Sequence, residues 1–221
     1  MTVIFGSTWQ PGAGRLMDVV AAMGRAKSIH ERVGADVRAW QLTAAGPASG
    51  QLLYLMEFAS GDAYGSSIQT MLADPEWQAF TAEVLYAREP AATLVGQGLA
   101  RVIPELDGLG NDPGTPGPRV RAQYRWMIKP GQAQAAIQAL TEVRPVVAAA
   151  GARVRTVQFL FNGPETGGLV SILEFENLAA FGGYQDRAAN DVEFQQVVAR
   201  LTGPESPLQF TSGAIATELE I

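Results

Sequence analysis

The 221-residue sequence predicts an α+β fold made of two tandem copies of one unit, and three observations carry that expectation. The second half repeats the first at a constant offset of 117 residues without a gap, from Trp9 on Trp126 to Gly96 on Gly213. About 23 identities fall over roughly 104 aligned pairs, some three times what composition alone would give. Each copy also reads strand, helix, strand, strand, helix, strand. Finally, a stretch rich in Gly and Pro separates them, Glu105 to Gly117.

The elements follow in order. Val120, Ala122, Tyr124 and Trp126 alternate with Arg121, Gln123 and Arg125, the two-residue period of a half-buried strand over Val120 to Met127. Lys129-Pro130-Gly131 breaks it, and Pro130 suits a first helical turn, where its missing N–H is not needed. A helix follows with Ala133, Ile137, Leu140, Val143, Val147 and Ala150 on one face, and Gly151 ends it. The first copy repeats this with Leu16, Val20, Met23, Ile29 and Val33, ending at Gly34. Two hairpin strands come next, Val37 to Leu42 and Leu52 to Phe58, matched by Val154 to Phe161 and Leu169 to Phe175. The second helical region is interrupted at Asp74-Pro75-Glu76-Trp77, where Asp74 caps a new helix and Pro75 takes its first position. Asp191 matches Asp74, and the last strands are Ala92 to Ile103 and Gln209 to Ile221.

This βαββαβ order gives an antiparallel sheet with both helices on one face, the ferredoxin-like arrangement. The expected organisation is a first unit over 1–104, an irregular linker over 105–117 and a second unit over 118–221. Each unit leaves one sheet face bare, so the economical solution packs the two sheets face to face as an intrachain pseudo-dimeric barrel.

Composition narrows the function classes. A net charge of −6 and the lack of basic, aromatic-interleaved windows argue against nucleic acid and against anionic membranes. With no cysteine, disulfides, thiolate metal sites and cysteine nucleophiles are excluded. One histidine cannot build a zinc site, and no acidic loop signature points to another metal. No apolar run is long enough to span a membrane, and the N-terminus lacks an export-signal pattern, so a cytoplasmic protein is expected. Gly12-Ala13-Gly14 lacks the third glycine and the parallel context of a dinucleotide site.

Strand–Lys129-Pro130-Gly131–helix, Leu173-Glu174-Phe175-Glu176-Asn177 leading into the second helix, and Asp74-Pro75-Glu76-Trp77-Gln78 together resemble the dimeric α/β-barrel superfamily. More narrowly, the chain is similar to its NIPSNAP-like and antibiotic-biosynthesis-monooxygenase-like members. The resemblance covers nearly the whole chain and implies a barrel whose two halves here lie on one polypeptide. It also implies a class that includes cofactor-free monooxygenases, isomerases, haem-handling enzymes and proteins without assigned chemistry. Haem-handling relatives commonly carry an axial histidine in the second half of the unit; neither copy has one, so no cofactor is expected.

Candidate catalytic groups are Arg38 with Arg155, and Glu57 with Glu174, retained in both copies on neighbouring hairpin strands. A charge on a half-buried strand is costly unless paired, so each Arg and Glu either close an ion pair or serve a cavity as anion binder and proton acceptor. Trp9, Trp40, Tyr54, Tyr124 and Trp126 are candidate ligand-binding residues, set against plain core packing. His30 reads as a partly buried structural histidine. The expected function is binding of a small apolar or aromatic molecule, with cofactor-free oxygenation or isomerisation as its chemistry. The alternative is a non-catalytic sequestering or assembly protein with a filled barrel. Because the first copy carries Trp40 and His30 where the second has Val157 and Val147, an active pocket is expected in one copy only. Further homo-oligomerisation is left open.

Overall fold

The computed structural model describes residues 1–109 and 119–221. The first copy forms β1 (Val3–Pro11), α1 (Leu16–Arg32), β2 (Asp36–Ala44), β3 (Leu52–Phe58), α2 (Gly61–Ala73), α3 (Pro75–Phe80) and β4 (Ala92–Val102). The second forms β5 (Val120–Ile128), α4 (Ala133–Ala149), β6 (Arg153–Phe161), β7 (Leu169–Phe175), α5 (Leu178–Asn190), α6 (Val192–Thr202) and β8 (Leu208–Leu219). The fold is α+β, and each copy has the ferredoxin-like order. The first sheet runs β4-β1-β3-β2 and the second β8-β5-β7-β6, all antiparallel.

By packing, unit 1 comprises Met1–Arg101 with Glu218–Ile221, and unit 2 comprises Val102–Thr217. The tandem division expected from the repeat thus differs at its edges, because the last four residues group with unit 1 and Val102 onward with unit 2. The segment read as an irregular linker is ordered where it is described. Pro104–Leu106 forms one 3-10 turn, Leu106 is fully buried, and Leu109 bridges Val154. The remainder, 110–117, lies outside the described residues.

The ends of the elements follow local chemistry. Gly34 and Gly151 end α1 and α4 at φ +92° and +105°, a conformation that costs a side chain with Cβ dearly. Asp74 and Asp191 accept the backbone N–H of Glu76 (2.7 Å) and Phe194 (3.1 Å), capping α3 and α6. Pro130 does not open α4 as expected. Gly131 adopts φ +74°, and that left-handed turn delays the helix to Ala133. The buried stripe of α4 keeps Leu140, Val147 and Ala150, with Ile137 and Val143 partly buried, and adds Ala136, while Ala133 is exposed.

In each unit the helices cover one sheet face. In unit 1, Val37, Ala39, Tyr54, Met56 and Phe58 pack with Val19, Met23 and Ile29 of α1 and with Phe80. In unit 2, Val120, Ala122, Val154, Leu173 and Phe175 pack with Val147, Tyr184 and Phe194. Alternation along the strands sends Arg38, Trp40, Arg155 and Glu174 to the opposite face. Among the described residues no helix is long and apolar enough to cross a membrane.

Candidate functional site

Between the helices and the sheet of unit 2 lies a cavity of about 280 Å³. Its floor is the helix-facing side of the sheet. There Tyr124 on β5 stands opposite Ser171 on β7, and Ser171 stands opposite Thr156 on β6, a row of three hydroxyl side chains across three strands. Trp126 lies beside this row, and its Nε1 donates to Ser171 Oγ at 3.2 Å. Leu140, Val143 and Val147 of α4 form one wall. Tyr184 and Ala188 of α5 and Phe194, Val198 and Leu201 of α6 form the other. Phe210 of β8, about half exposed, stacks edge-on against Trp126 with ring centroids 5.5 Å apart.

The two tyrosines and the arginine of the cavity can donate hydrogen bonds at neutral pH. Burial raises the Tyr184 hydroxyl pKa, helped by nearby Tyr124, and burial raises Tyr124 as well, so both stay protonated. Arg144 is the cation of the lining. Its Nη2 donates to the Asp107 carbonyl at 3.0 Å and its Nη1 to the Glu105 carbonyl, while Nε is buried without a partner. Burial lowers its pKa, and Asp107 partly offsets this. Among the described residues the lining contains no carboxylate and no imidazole.

At four matched positions unit 1 carries larger side chains. Subtracting the offset, Ser171 corresponds to Tyr54, Val147 to His30, Ala188 to Met71 and Phe194 to Trp77. His30 Nδ1 and the Tyr54 hydroxyl share a hydrogen bond of 2.7 Å, and the His30 ring lies 4.9 Å from that of Trp77. His30 is 3% exposed, and burial lowers its pKa from 6.5 to about 4, so the ring is neutral. It is the structural histidine the sequence suggested, bonded into a core.

The aromatic candidates therefore separate. Tyr124 and Trp126 line the cavity of unit 2. Trp9, whose Nε1 donates to Ser7 Oγ at 2.8 Å, is partly buried and packs against the core of unit 1. Trp40 is buried on the other sheet face, opposite Leu53.

Arg38, Glu57, Arg155 and Glu174 stand away from this cavity, and register explains how they are partnered. Arg38 pairs directly with Leu55 and Arg155 with Ile172, while Glu57 stands opposite Asp36 and Glu174 opposite Arg153. The conserved Arg and Glu are thus diagonal neighbours. Arg153 Nη1 reaches Glu174 at 3.3 Å, Arg155 Nε lies 3.3 Å from Asp107, and Arg38 lies 3.7 Å from Glu218 and 3.9 Å from Asp36. Sequence reasoning missed Arg144, Thr156, Ser171 and Tyr184. The signal for Ser171 was present in the repeat, where a small residue replaces a large aromatic at a matched position.

No protein-family model matches the sequence, and no curated protein is significantly similar to it. Solved structures are similar over nearly the whole chain. A monooxygenase-like protein from Lactobacillus acidophilus aligns with TM-score 0.59 and 12% identity, covering 99% of this chain and 94% of its own. Another, from Fusobacterium nucleatum, gives 0.64 and 8%, covering 98% and 91%. An anthrone oxidase-like protein gives 0.61 and 14%, covering 99% and 91%. Chlorite dismutases are similar too. At these identities the likeness shows the fold alone, that of the dimeric α/β-barrel, ferredoxin-like proteins. The sole histidine is hydrogen-bonded to Tyr54 and packed against Trp77, so it is not placed to ligate a haem.

Proposed function

We propose that unit 2 binds a small, flat, apolar or aromatic molecule in the cavity between its sheet and helices, and that its chemistry is cofactor-free oxygenation of that ring. The observation that carries the binding reading is the cavity itself. An enclosed apolar void of about 150 Å³ already accepts benzene, and 280 Å³ leaves room for a fused bicycle. Aromatic walls and a few hydroxyls suit a ring with a polar edge.

The oxygenation reading is supported by the monooxygenase-like and anthrone oxidase-like relatives in fold and by the donors of the cavity. In such a reaction a ring CH₂ and O₂ become a ring C=O and water. The substrate must first lose a proton, and its anion must be held where it reacts. Arg144 and the protonated hydroxyls of Tyr124 and Tyr184 supply positive potential to that anion in a site poor in water. Because the lining, among the described residues, offers no carboxylate or imidazole, the proton passes to solvent water and the ring, acidic enough to ionise there, binds as its anion. The same absence favours a second reading, sequestration of the ligand without turnover.

The test is a titration of wild type and Ser171→Tyr with 1-naphthol, followed by thermal shift and tryptophan fluorescence, with oxygen uptake measured on anthrone. Ser171→Tyr installs the residue that fills unit 1. Binding by wild type and its loss in this variant are expected, while equal binding by both removes the cavity as the site. Oxygen uptake by wild type, reduced on the order of 100-fold or more in Arg144→Met, supports turnover; binding without uptake leaves sequestration. Loss of binding in Arg38→Ala or Arg155→Ala would return the site to the other sheet face.

A further inference from the structure

We propose that Tyr124 and Tyr184 together select the ligand of the unit 2 cavity, donating to one ring-borne hydroxyl or carbonyl oxygen and so favouring such rings over hydrocarbons. The inference rests on the cavity being the ligand site, and it names the two groups that sort what enters. Both tyrosines line the cavity, Tyr124 from β5 and Tyr184 from α5. Tyr184 is 4% exposed, its ring packed against those of Phe175 and Phe194 at centroid distances of 5.1 and 5.8 Å. Among the described residues neither hydroxyl has a hydrogen-bond partner, and neither oxygen is sealed from the accessible surface. Each phenol is thus held away from bulk water by its ring yet receives nothing from the protein, a state native folds seldom leave unused. Tyr124 acts electrostatically on the Tyr184 hydroxyl, so the two phenols are neighbours, and they do not bond each other.

The repeat supplies an independent comparison. Tyr124 corresponds to Ser7 and Tyr184 to Ser67. Both serines are satisfied inside unit 1, where Ser7 Oγ accepts from Trp9 Nε1 at 2.8 Å and Ser67 Oγ donates to the Val33 carbonyl. In unit 2 the matching partners are engaged elsewhere. Trp126, at the place of Trp9, donates to Ser171, and the Ala150 carbonyl, at the place of Val33, accepts from Arg187 Nε at 2.7 Å. The needs of the fold at both places are therefore met by other side chains, and the two hydroxyls are left to the cavity. Ring packing alone would be served equally by phenylalanine. Sites that hydrogen-bond a ligand oxygen discriminate against the analogue lacking it, because their buried polar groups are then unpaired.

The experiment compares 1-naphthol with 1-methylnaphthalene, which has nearly the same shape and carries a methyl in place of the hydroxyl. Dissociation constants and melting temperatures are measured for wild type, Tyr124→Phe and Tyr184→Phe. Each variant is expected to bind 1-naphthol about five- to tenfold more weakly, to bind 1-methylnaphthalene as wild type does, and to melt no lower. A melting temperature lowered by either substitution would place that hydroxyl in a bond within the protein and overturn the assignment. An unchanged ratio between the probes in either variant would overturn it too, while binding by wild type keeps the cavity as the ligand site. If wild type binds neither probe, the ligand site falls and the assignment with it.

Discussion

Unit 1 and unit 2 share an order of elements, a strand register and their helix caps, yet they differ in what fills the space between helices and sheet. Unit 1 places His30, Tyr54, Met71 and Trp77 there, and His30 meets Tyr54 through a hydrogen bond and Trp77 through a ring contact. Unit 2 carries Val147, Ser171, Ala188 and Phe194 in the same places and keeps a cavity. The exchange is incomplete, since unit 2 enlarges Ser7 to Tyr124 and Ser67 to Tyr184 and so moves hydroxyls to the cavity wall. A packed core and a cavity can thus be separated by a handful of side chains on one scaffold.

Exchanging residues between the copies puts this comparison under the greatest load. Tyr54→Ser removes a buried ring and orphans His30 Nδ1, and should destabilise the protein by about 3–5 kcal/mol. The reciprocal Ser171→Tyr fills a void, and its cost should stay below about 1.5 kcal/mol in chemical denaturation. Equal losses in the two variants would mean that the copies are packed alike.

A second prediction concerns pH. The pKa of His30 is lower in the folded state, about 4, than the 6.5 of an unfolded histidine, so between these values the unfolded chain binds the extra proton. Its contribution is complete above pH 6.5 and is lost as pH falls toward 4, an effect of up to about 3 kcal/mol. Melting curves at pH 7.5 and 5 should therefore diverge for wild type and converge for His30→Phe. An unchanged gap would show that other groups cause the acid sensitivity. Unit 2, with Val147 at this position, contributes nothing to it.

The smallest effect separates the two helix caps. Asp191→Ala removes the hydrogen bond to Phe194 N and should cost about 1 kcal/mol. Asp74→Ala also removes an ion pair with Arg32 at 2.9 Å and should lower the melting temperature further. A larger loss at Asp191 would contradict these contacts.

Much of the architecture was legible because it rests on local signals. Alternation in Val120 to Trp126, the stops at Gly34 and Gly151 and the caps at Asp74 and Asp191 each reflect the backbone's own requirements. Pro130 misled because its role depends on Gly131, whose positive φ is a matter of conformation. The site was less legible. Arg38, Glu57, Arg155 and Glu174 stood out by retention in both copies, but retention of a pair does not reveal which sheet face holds a cavity. Trp126 and Tyr124 were visible as strand aromatics, while Trp9, at the position matching Trp126, is packed away. Tyr184 gave no signal, since an unpartnered hydroxyl exists only once its neighbours are placed.

Carrying both copies on one polypeptide has a genetic consequence. In a symmetric pair of identical chains every substitution appears twice, so opening one chamber opens both and the loss of packing is doubled. Here the gene can alter Ser171 without touching Tyr54, so one half is free to drift toward new chemistry while its twin remains a solid anchor.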